Sequence, residues 1–261
     1  MDEVYRFTDA ILRRPGASVV RGLRAGGGAD PSLAGVLAEH QAYADALAAA
    51  GLRLTMLDPL EAYPDAIFVE DPALVFPEAA ILLRPGAASR EGEVDLIAPA
   101  LAARFGQVLR LPAGYADGGD VLVMSDRVFI GLSARTDREG AAALAGLLGA
   151  LGRKAVIAET PEEVLHLKTA SSLIDGETVL ATRALADSGI FADYRVLVVP
   201  PGEDGGANVL RVNDRVLVGA GYPRIAELVD GFGAQVAVLA NGEIAKIDAG
   251  FTCMSLRWRE A

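Results

Sequence analysis

Two hexapeptides in this chain nearly coincide. Asp126-Arg127-Val128-Phe129-Ile130-Gly131 and Asp214-Arg215-Val216-Leu217-Val218-Gly219 share their order of charged, apolar and glycine positions. Each precedes a stretch of helical apolar spacing and then an apolar strand. Ala80-Ile81-Leu82-Leu83 and Glu177-Thr178-Val179-Leu180 open similar units. The chain therefore reads as strand–strand–helix–strand modules recurring about every 40 to 60 residues. Such modules set around an axis form a closed ring, which hides the edges of their sheets. The axis is where residues from distant modules meet. No linker or shift in composition interrupts the pattern, so residues 1–261 are expected to form one α/β domain.

The spacing predicts a short strand over 17–22, a helix from Ser32 to Gly51 and a strand over 52–57. Period-two alternation over 65–75 places Asp65, Ile67, Val69 and Asp71 on one face and Glu70 on the other. Further strands are expected at 80–83, 107–111, 128–135, 154–158, 178–182, 195–199, 209–212, 215–219 and 235–239. Helices are expected at 91–105, 138–151, 183–191 and 222–231. His40, within the first helix, reads as a surface residue without a special role.

Charge narrows the functional classes. Lys plus Arg is 24 and Asp plus Glu is 35, a formal net charge of −11. That balance argues against nucleic acid and against an anionic membrane surface, and suits a cationic small substrate. No stretch approaches the ~20 apolar residues of a membrane span. The acidic start, Met1-Asp2-Glu3, does not read as a signal peptide. The lone cysteine leaves no internal disulfide, which fits a reducing, cytoplasmic setting.

Cys253 lies in Ile247-Asp248-Ala249-Gly250-Phe251-Thr252-Cys253-Met254-Ser255, beside a turn-forming glycine and an acid. It is either a small buried hydrophobe or a reactive thiol. A nucleophilic thiol needs a base and an orienting group. His166, in a polar segment running to Ser172, is a candidate base, with a satisfied core histidine as the alternative. Asp65, Glu70 and Asp71 bracket an apolar run, where acids are costly unless paired; they read as a cation-binding cluster or as solvated turn acids. Asp117-Gly118-Gly119-Asp120 is either backbone that comes close to something or a hairpin turn. Leu23 opens a loop with three glycines, Gly26 to Gly28, a candidate lid or an ordinary surface connection.

Six segments, taken in order, resemble one family over nearly the full chain. They are Phe68-Val69-Glu70-Asp71-Pro72, Arg84-Pro85-Gly86-Ala87 through Arg90, Asp117-Gly118-Gly119-Asp120-Val121-Leu122, Gly131-Leu132-Ser133-Ala134-Arg135-Thr136, His166-Leu167-Lys168-Thr169, and Asp248 through Cys253. The chain resembles the dimethylarginine dimethylaminohydrolases of the guanidino-group-modifying, or pentein, superfamily. The resemblance implies an α/β-propeller of five ββαβ modules about a pseudo-fivefold axis, working without metal or organic cofactor. It implies hydrolysis of N-omega-methylated arginine to citrulline and a methylamine through a covalent cysteine intermediate. Cys253 falls on the nucleophile, His166 on the general acid and base, and Asp117 on the acid that holds the histidine. Asp65, Glu70, Asp71 and Asp248 fall on segments around the guanidinium or the amino-acid end of the substrate. Arg90 and Arg135 fall on arginines that bind the substrate α-carboxylate, and Leu23 falls in the loop that closes over the site. A homodimer is compatible with the resemblance. The competing readings are an arginine deiminase-like hydrolase releasing ammonia and a non-catalytic, amino-acid-binding pentein. The short lid and the length of 261 residues favour the dimethylarginine enzyme, and the Cys253, His166 and Asp117 trio disfavours a binding-only protein.

Overall fold

The computed structural model describes residues 4–26 and 28–260. Met1 to Glu3, Gly27 of the glycine loop and Ala261 lie outside the described residues. Five three-stranded sheets carry the architecture. The first combines β1 (Asp9–Arg13), α1 (Leu33–Ala49) and β2 (Arg53–Leu57) with a strand from the far end of the chain. The second is β3 (Ala73–Val75), β4 (Ala80–Leu82), α2 (Glu93–Ala102) and β5 (Val108–Arg110). The third is β6 (Val121–Val123), β7 (Val128–Leu132), α3 (Arg138–Ala150) and β8 (Ala155–Glu159). The fourth is β9 (Ser171–Asp175), β10 (Thr178–Ala181), α4 (Arg183–Asp187) and β11 (Arg195–Val198). The fifth is β12 (Leu210–Val212), β13 (Arg215–Gly219), α5 (Pro223–Val229) and β14 (Gln235–Leu239). A short α6 (Gly242–Ala245) then leads to β15 (Leu256–Trp258), which pairs antiparallel with β1, Asp9 opposite Trp258, and completes the first sheet.

Every sheet has the same connectivity. Its edge strand pairs antiparallel with the second strand, and the second pairs parallel with the third across a helical crossover. The two near-identical hexapeptides are β7 and β13, in equivalent places two modules apart. The hydrophobic core is divided in the same way. Buried clusters join first sheet to second (Ile11, Leu256, Ile97), second to third (Ile81, Ile130, Leu144) and third to fourth (Phe129, Val179, Leu185). The remaining clusters join fourth to fifth (Leu180, Val216, Ile225) and fifth back to first (Leu217, Leu12, Tyr43). The last junction closes the ring. Fully burying one such side chain contributes about 1.5–3 kcal/mol. Asn213 adds a polar tie there. It sits at φ 52°, in a turn conformation that asparagine tolerates, and its side chain bonds Phe7 N, Phe7 O and Ala50 O at 2.8, 3.0 and 2.8 Å.

Three local expectations fail for tertiary reasons. Residues 17–21 form a 3-10 turn rather than a strand, because the Glu61 carboxylate accepts the Ala17 and Ser18 N–H groups at 2.8 and 3.0 Å. The strand is earlier, at β1. The segment from Asp65 to Asp71 is a run of turns, closed by Phe68 N to Asp65 O at 2.9 Å, and regular strand begins only at Ala73. His40 is buried, 4% exposed, against the expectation of a surface position. Burial pushes its pKa down to about 4, so it is a neutral core residue at physiological pH. Among the described residues, no helix is long and apolar enough to cross a membrane.

Candidate active site

The repeated connectivity aims five short turns at one end of the ring. Glu70 and Asp71 come just before β3, Asp117 and Asp120 before β6, and His166 and Lys168 before β9. Asn208 comes before β12 and Cys253 before β15. These are the N-terminal ends of the five edge strands, where side chains far apart in sequence are brought together. A cavity of about 130 Å³ lies at this end, lined by Leu23, Asp65, Asp71, His166, Asp248 and Cys253, with Arg90 and Arg135 also in its wall.

His166 Nε2 lies 3.0 Å from Asp117 Oδ2, and Asp117 is wholly buried. The other carboxylate oxygen accepts Gly86 N at 2.8 Å, and Asp117 N donates to Thr136 Oγ1 at 3.1 Å. Burial disfavours a charged imidazole. The Asp117 hydrogen bond and the charges of Asp71 and Asp120 outweigh that penalty and hold the His166 pKa up at about 9. The Cys253 thiol moves up as well. Burial and the negative charges of Glu70 and Asp71 push it to about 12. At neutral pH the site therefore pairs an imidazolium with a neutral thiol. Both glycines between Asp117 and Asp120 are needed for close approach. A Cβ at Gly119 would lie 2.9 Å from His166 Cγ, and one at Gly118 would lie 2.0 Å from the Glu70 carbonyl oxygen.

The remaining expected residues divide into distinct environments. Asp71 lines the cavity, receives Gly119 N at 3.0 Å and is ion-paired with Arg90. Burial would raise its carboxyl, but the Arg90 and His166 charges hold it below its ordinary value. Glu70 does not line the cavity. Its side chain meets Lys168 Nζ at 2.6 Å and Thr252 Oγ1 at 2.8 Å. Asp65 and Asp248 hold the loop that carries Leu23: Asp65 Oδ1 accepts Leu23 N at 2.8 Å, and Asp248 accepts Ala25 N. Asp248 does so from φ 54°, a left-handed backbone that aspartate, like asparagine, tolerates.

The two arginines are not equivalent. The Arg90 guanidinium is buried and donates to Asp71, to Glu93 at 2.7 Å, and to the carbonyls of Phe68 and Asp65 at 2.9 and 3.2 Å. Arg135 lines the cavity, and its guanidinium makes no hydrogen bond or ion pair among the described residues.

Three residues of this end were not singled out from sequence. Asp120, wholly buried, accepts Ser133 Oγ and Thr136 Oγ1, each at 2.7 Å, and Leu167 N at 2.9 Å. It thereby ties the loop after β7 to the residue following His166. Asn208 accepts Thr252 N at 3.0 Å and donates to Lys168 O at 2.9 Å, bridging the histidine and cysteine turns. Lys168 pairs with Glu70. The signal that could have found them is positional, since each precedes an edge strand just as Asp71 and Cys253 do. Asp71, Asp117 and His166 also offer three donor atoms within 4.8 Å of one another, which a cation could use.

Five ββαβ sheets in a ring, with a thiol, an imidazole and a buried carboxylate converging at one end, define the pentein class of guanidino-modifying proteins. A family model described as arginine deiminase matches residues 102–198. The N(G),N(G)-dimethylarginine dimethylaminohydrolase of Pseudomonas aeruginosa is 37% identical over 97% of this chain and 100% of its own. The protein of the same description from Streptomyces coelicolor is 35% identical over 96% of this chain and 97% of its own. A structure of the Pseudomonas enzyme, a cysteine-to-serine variant complexed with citrulline, superposes with a TM-score of 0.94 over 97% of this chain and 100% of that one. The N-terminal domain of a cyanobacterial arginine dihydrolase shares the fold at a TM-score of 0.86 and 18% identity, over 100% and 98% of the two chains. The chain belongs to the dimethylarginine dimethylaminohydrolase family.

Proposed function

We propose that this protein hydrolyses N-omega-methylated arginine, asymmetric dimethylarginine or monomethylarginine, to citrulline and dimethylamine or methylamine. The observation that carries the reading is the meeting of Cys253, His166 and Asp71 in one cavity, backed by the family relationship. The guanidinium enters beside Asp71, whose charge fixes its orientation against the thiol. Its positive charge offsets the acids that keep Cys253 protonated. The thiol proton passes to solvent and the thiolate forms only with substrate bound. Sulfur attacks the guanidinium carbon. The bond from carbon to the methylated nitrogen breaks, His166 gives its proton to the leaving amine, and an S-alkylthiouronium remains on Cys253. Water then attacks the same carbon and gives one proton to His166. The C–S bond breaks with its electron pair on sulfur, and the last hydroxyl proton goes to thiolate or solvent as citrulline forms. Asp117 holds the imidazole and stabilises its charged state.

Arg135, with its donors uncommitted, takes the substrate α-carboxylate in this reading, and Leu23 covers the bound molecule. Arg90 shares the wall, and its ion pair with Asp71 keeps that acid ionised. A reducing, cytoplasmic setting suits a reaction that needs a free thiol.

A product assay tests the proposal. Asymmetric dimethylarginine should give citrulline and dimethylamine in equal amounts, with little turnover of arginine. The match of residues 102–198 to the arginine deiminase model supports a second reading, in which arginine gives citrulline and ammonia. If arginine is the better substrate and dimethylarginine is inert, the second reading replaces the first.

A further inference from the structure

Asp120 has no exposure to solvent and does not line the cavity that holds Cys253, yet it touches two of the turns that build that cavity. It ends the 3-10 turn Gly118–Asp120, which Asp117 precedes. Its Oδ1 accepts Leu167 N at 2.9 Å, the amide that follows His166. Its Oδ2 accepts the hydroxyls of Ser133 and Thr136, each at 2.7 Å. Those two residues bracket Arg135. All three contacts donate to the carboxylate. They favour its ionised form, against the burial that raises its pKa.

The loop that carries Arg135 leans on this acid. It runs from β7 to Asp137, the cap of α3, whose carboxylate accepts Gly140 N at 2.6 Å. Between those fixed ends, Ser133 Oγ accepts Arg135 N at 3.0 Å and Thr136 N at 3.3 Å while donating to Asp120. Thr136 Oγ1 accepts Asp117 N at 3.1 Å while donating to Asp120. Each hydroxyl passes the hold of the carboxylate on to backbone amides, Ser133 to that of Arg135 and Thr136 to that of Asp117. The bond from Ser133 N to Thr136 O, 3.1 Å, closes the loop on itself and ties it to nothing outside. A buried carboxylate is thus the common anchor of the arginine loop, the acid of the His166–Asp117 pair and the amide next to His166.

We infer that Asp120 is a positioning residue that sets Arg135 and the His166–Asp117 pair from one buried carboxylate, aligning the grip on substrate with proton transfer. It touches no substrate itself. Resting on the roles proposed above for Arg135 and His166, this gives Asp120 two separable effects. One runs through Ser133 to Arg135 and acts on KM. The other runs through Leu167 and Thr136 to the histidine pair and acts on kcat. Misplacing a reacting group by about 1 Å costs up to about 10²-fold in rate, so small shifts in these turns are measurable.

Asp120→Asn keeps the size of the side chain and removes its charge and one acceptor oxygen. With asymmetric dimethylarginine it should raise KM and lower kcat, each about tenfold. In an Arg135→Ala background the same change should still lower kcat about tenfold but raise KM by less than about twofold more, because the route through Arg135 is already lost. Ser133→Ala, at a half-buried position, should raise KM and leave kcat within about twofold of the wild type. Citrulline binding measured by calorimetry should follow KM in every variant. If Asp120→Asn does not fold, Ser133→Ala and its double variant with Arg135→Ala carry the same test. Unchanged KM, kcat and citrulline affinity in folded Asp120→Asn would overturn the assignment, whatever happens to its thermal midpoint. So would a KM loss that adds fully to that of Arg135→Ala, or wild-type KM and citrulline affinity in Ser133→Ala. A wild type inert toward dimethylarginine would sink the functional reading by itself, and the citrulline titrations would then decide the role of Asp120. A wild type that does not bind citrulline either would overturn both.

Discussion

His166 Nε2 is 3.0 Å from Asp117 Oδ2, and the carboxylate at the other end of that contact has no exposure to solvent. This one contact governs how the imidazole is turned and how long it stays charged. Asp117→Asn keeps the shape and removes the charge. We expect kcat for methylarginine to fall by about 10²-fold or more. The alkaline limb of the pH–rate profile should move below the wild-type position, which His166 sets near 9. A profile unchanged in both height and position would remove Asp117 from the mechanism.

Cys253→Ser should abolish turnover and leave the fold intact, because the side chain is only partly buried and the change is near-isosteric. Circular dichroism and the thermal midpoint check the fold, and citrulline release checks the chemistry. Appreciable turnover by the serine variant would exclude a covalent thiouronium.

Arg135→Ala should raise KM by about 10- to 100-fold, the scale of one charge-assisted hydrogen-bonding pair, with a smaller effect on kcat. Arg90→Ala should behave differently. Removing Arg90 leaves Asp71 and Glu93 buried without their cation, so a loss of about 3–5 kcal/mol of stability is expected in urea unfolding. Equal behaviour of the two variants would mean that the difference in their partners has no consequence.

The charged His166 also contributes to folding. Its folded pKa, about 9, lies above the ordinary 6.5 of histidine. The stabilisation is therefore full below pH 6.5 and is lost as pH rises through about 9, an effect of about 3 kcal/mol. Unfolding free energy measured from pH 6 to pH 9.5 should decline in the wild type and decline less in His166→Gln.

Asn208 bridges the turns of His166 and Cys253 without lining the cavity that holds them. Asn208→Ala should lower kcat by about tenfold through misplacement of the thiol, with little change in KM. Asn208→Asp, which keeps the acceptor for Thr252 N, should recover part of the loss. A change in KM alone would make Asn208 a substrate contact.

The sequence by itself determined the module. The β7 and β13 hexapeptides, the helical spacing behind them and the flanking apolar strands follow from local periodicity, which the ring preserves. Cys253 and His166 were legible as candidates too, because one cysteine and two histidines leave few choices for a nucleophile and its base, whereas Asp117 joined them only through the family resemblance. Local pattern failed where a distant group dictates the backbone. Ala17 to Arg21 looks like a strand, but Glu61 takes its N–H groups and makes it a turn. Asp65 to Asp71 alternates like a strand but coils into turns, with Arg90 donating to its carbonyls. Only the tertiary structure decided which acids do what. Glu70 and Asp71 are neighbours in sequence, yet one meets Lys168 while the other lines the cavity that holds Cys253. Only tertiary structure separated Arg90 from Arg135, buried His40, and brought Asn208 between the turns of His166 and Cys253. Sequence spacing carries which residues share a face of one element. It does not carry which ends of five sheets meet, because that is set by packing between modules.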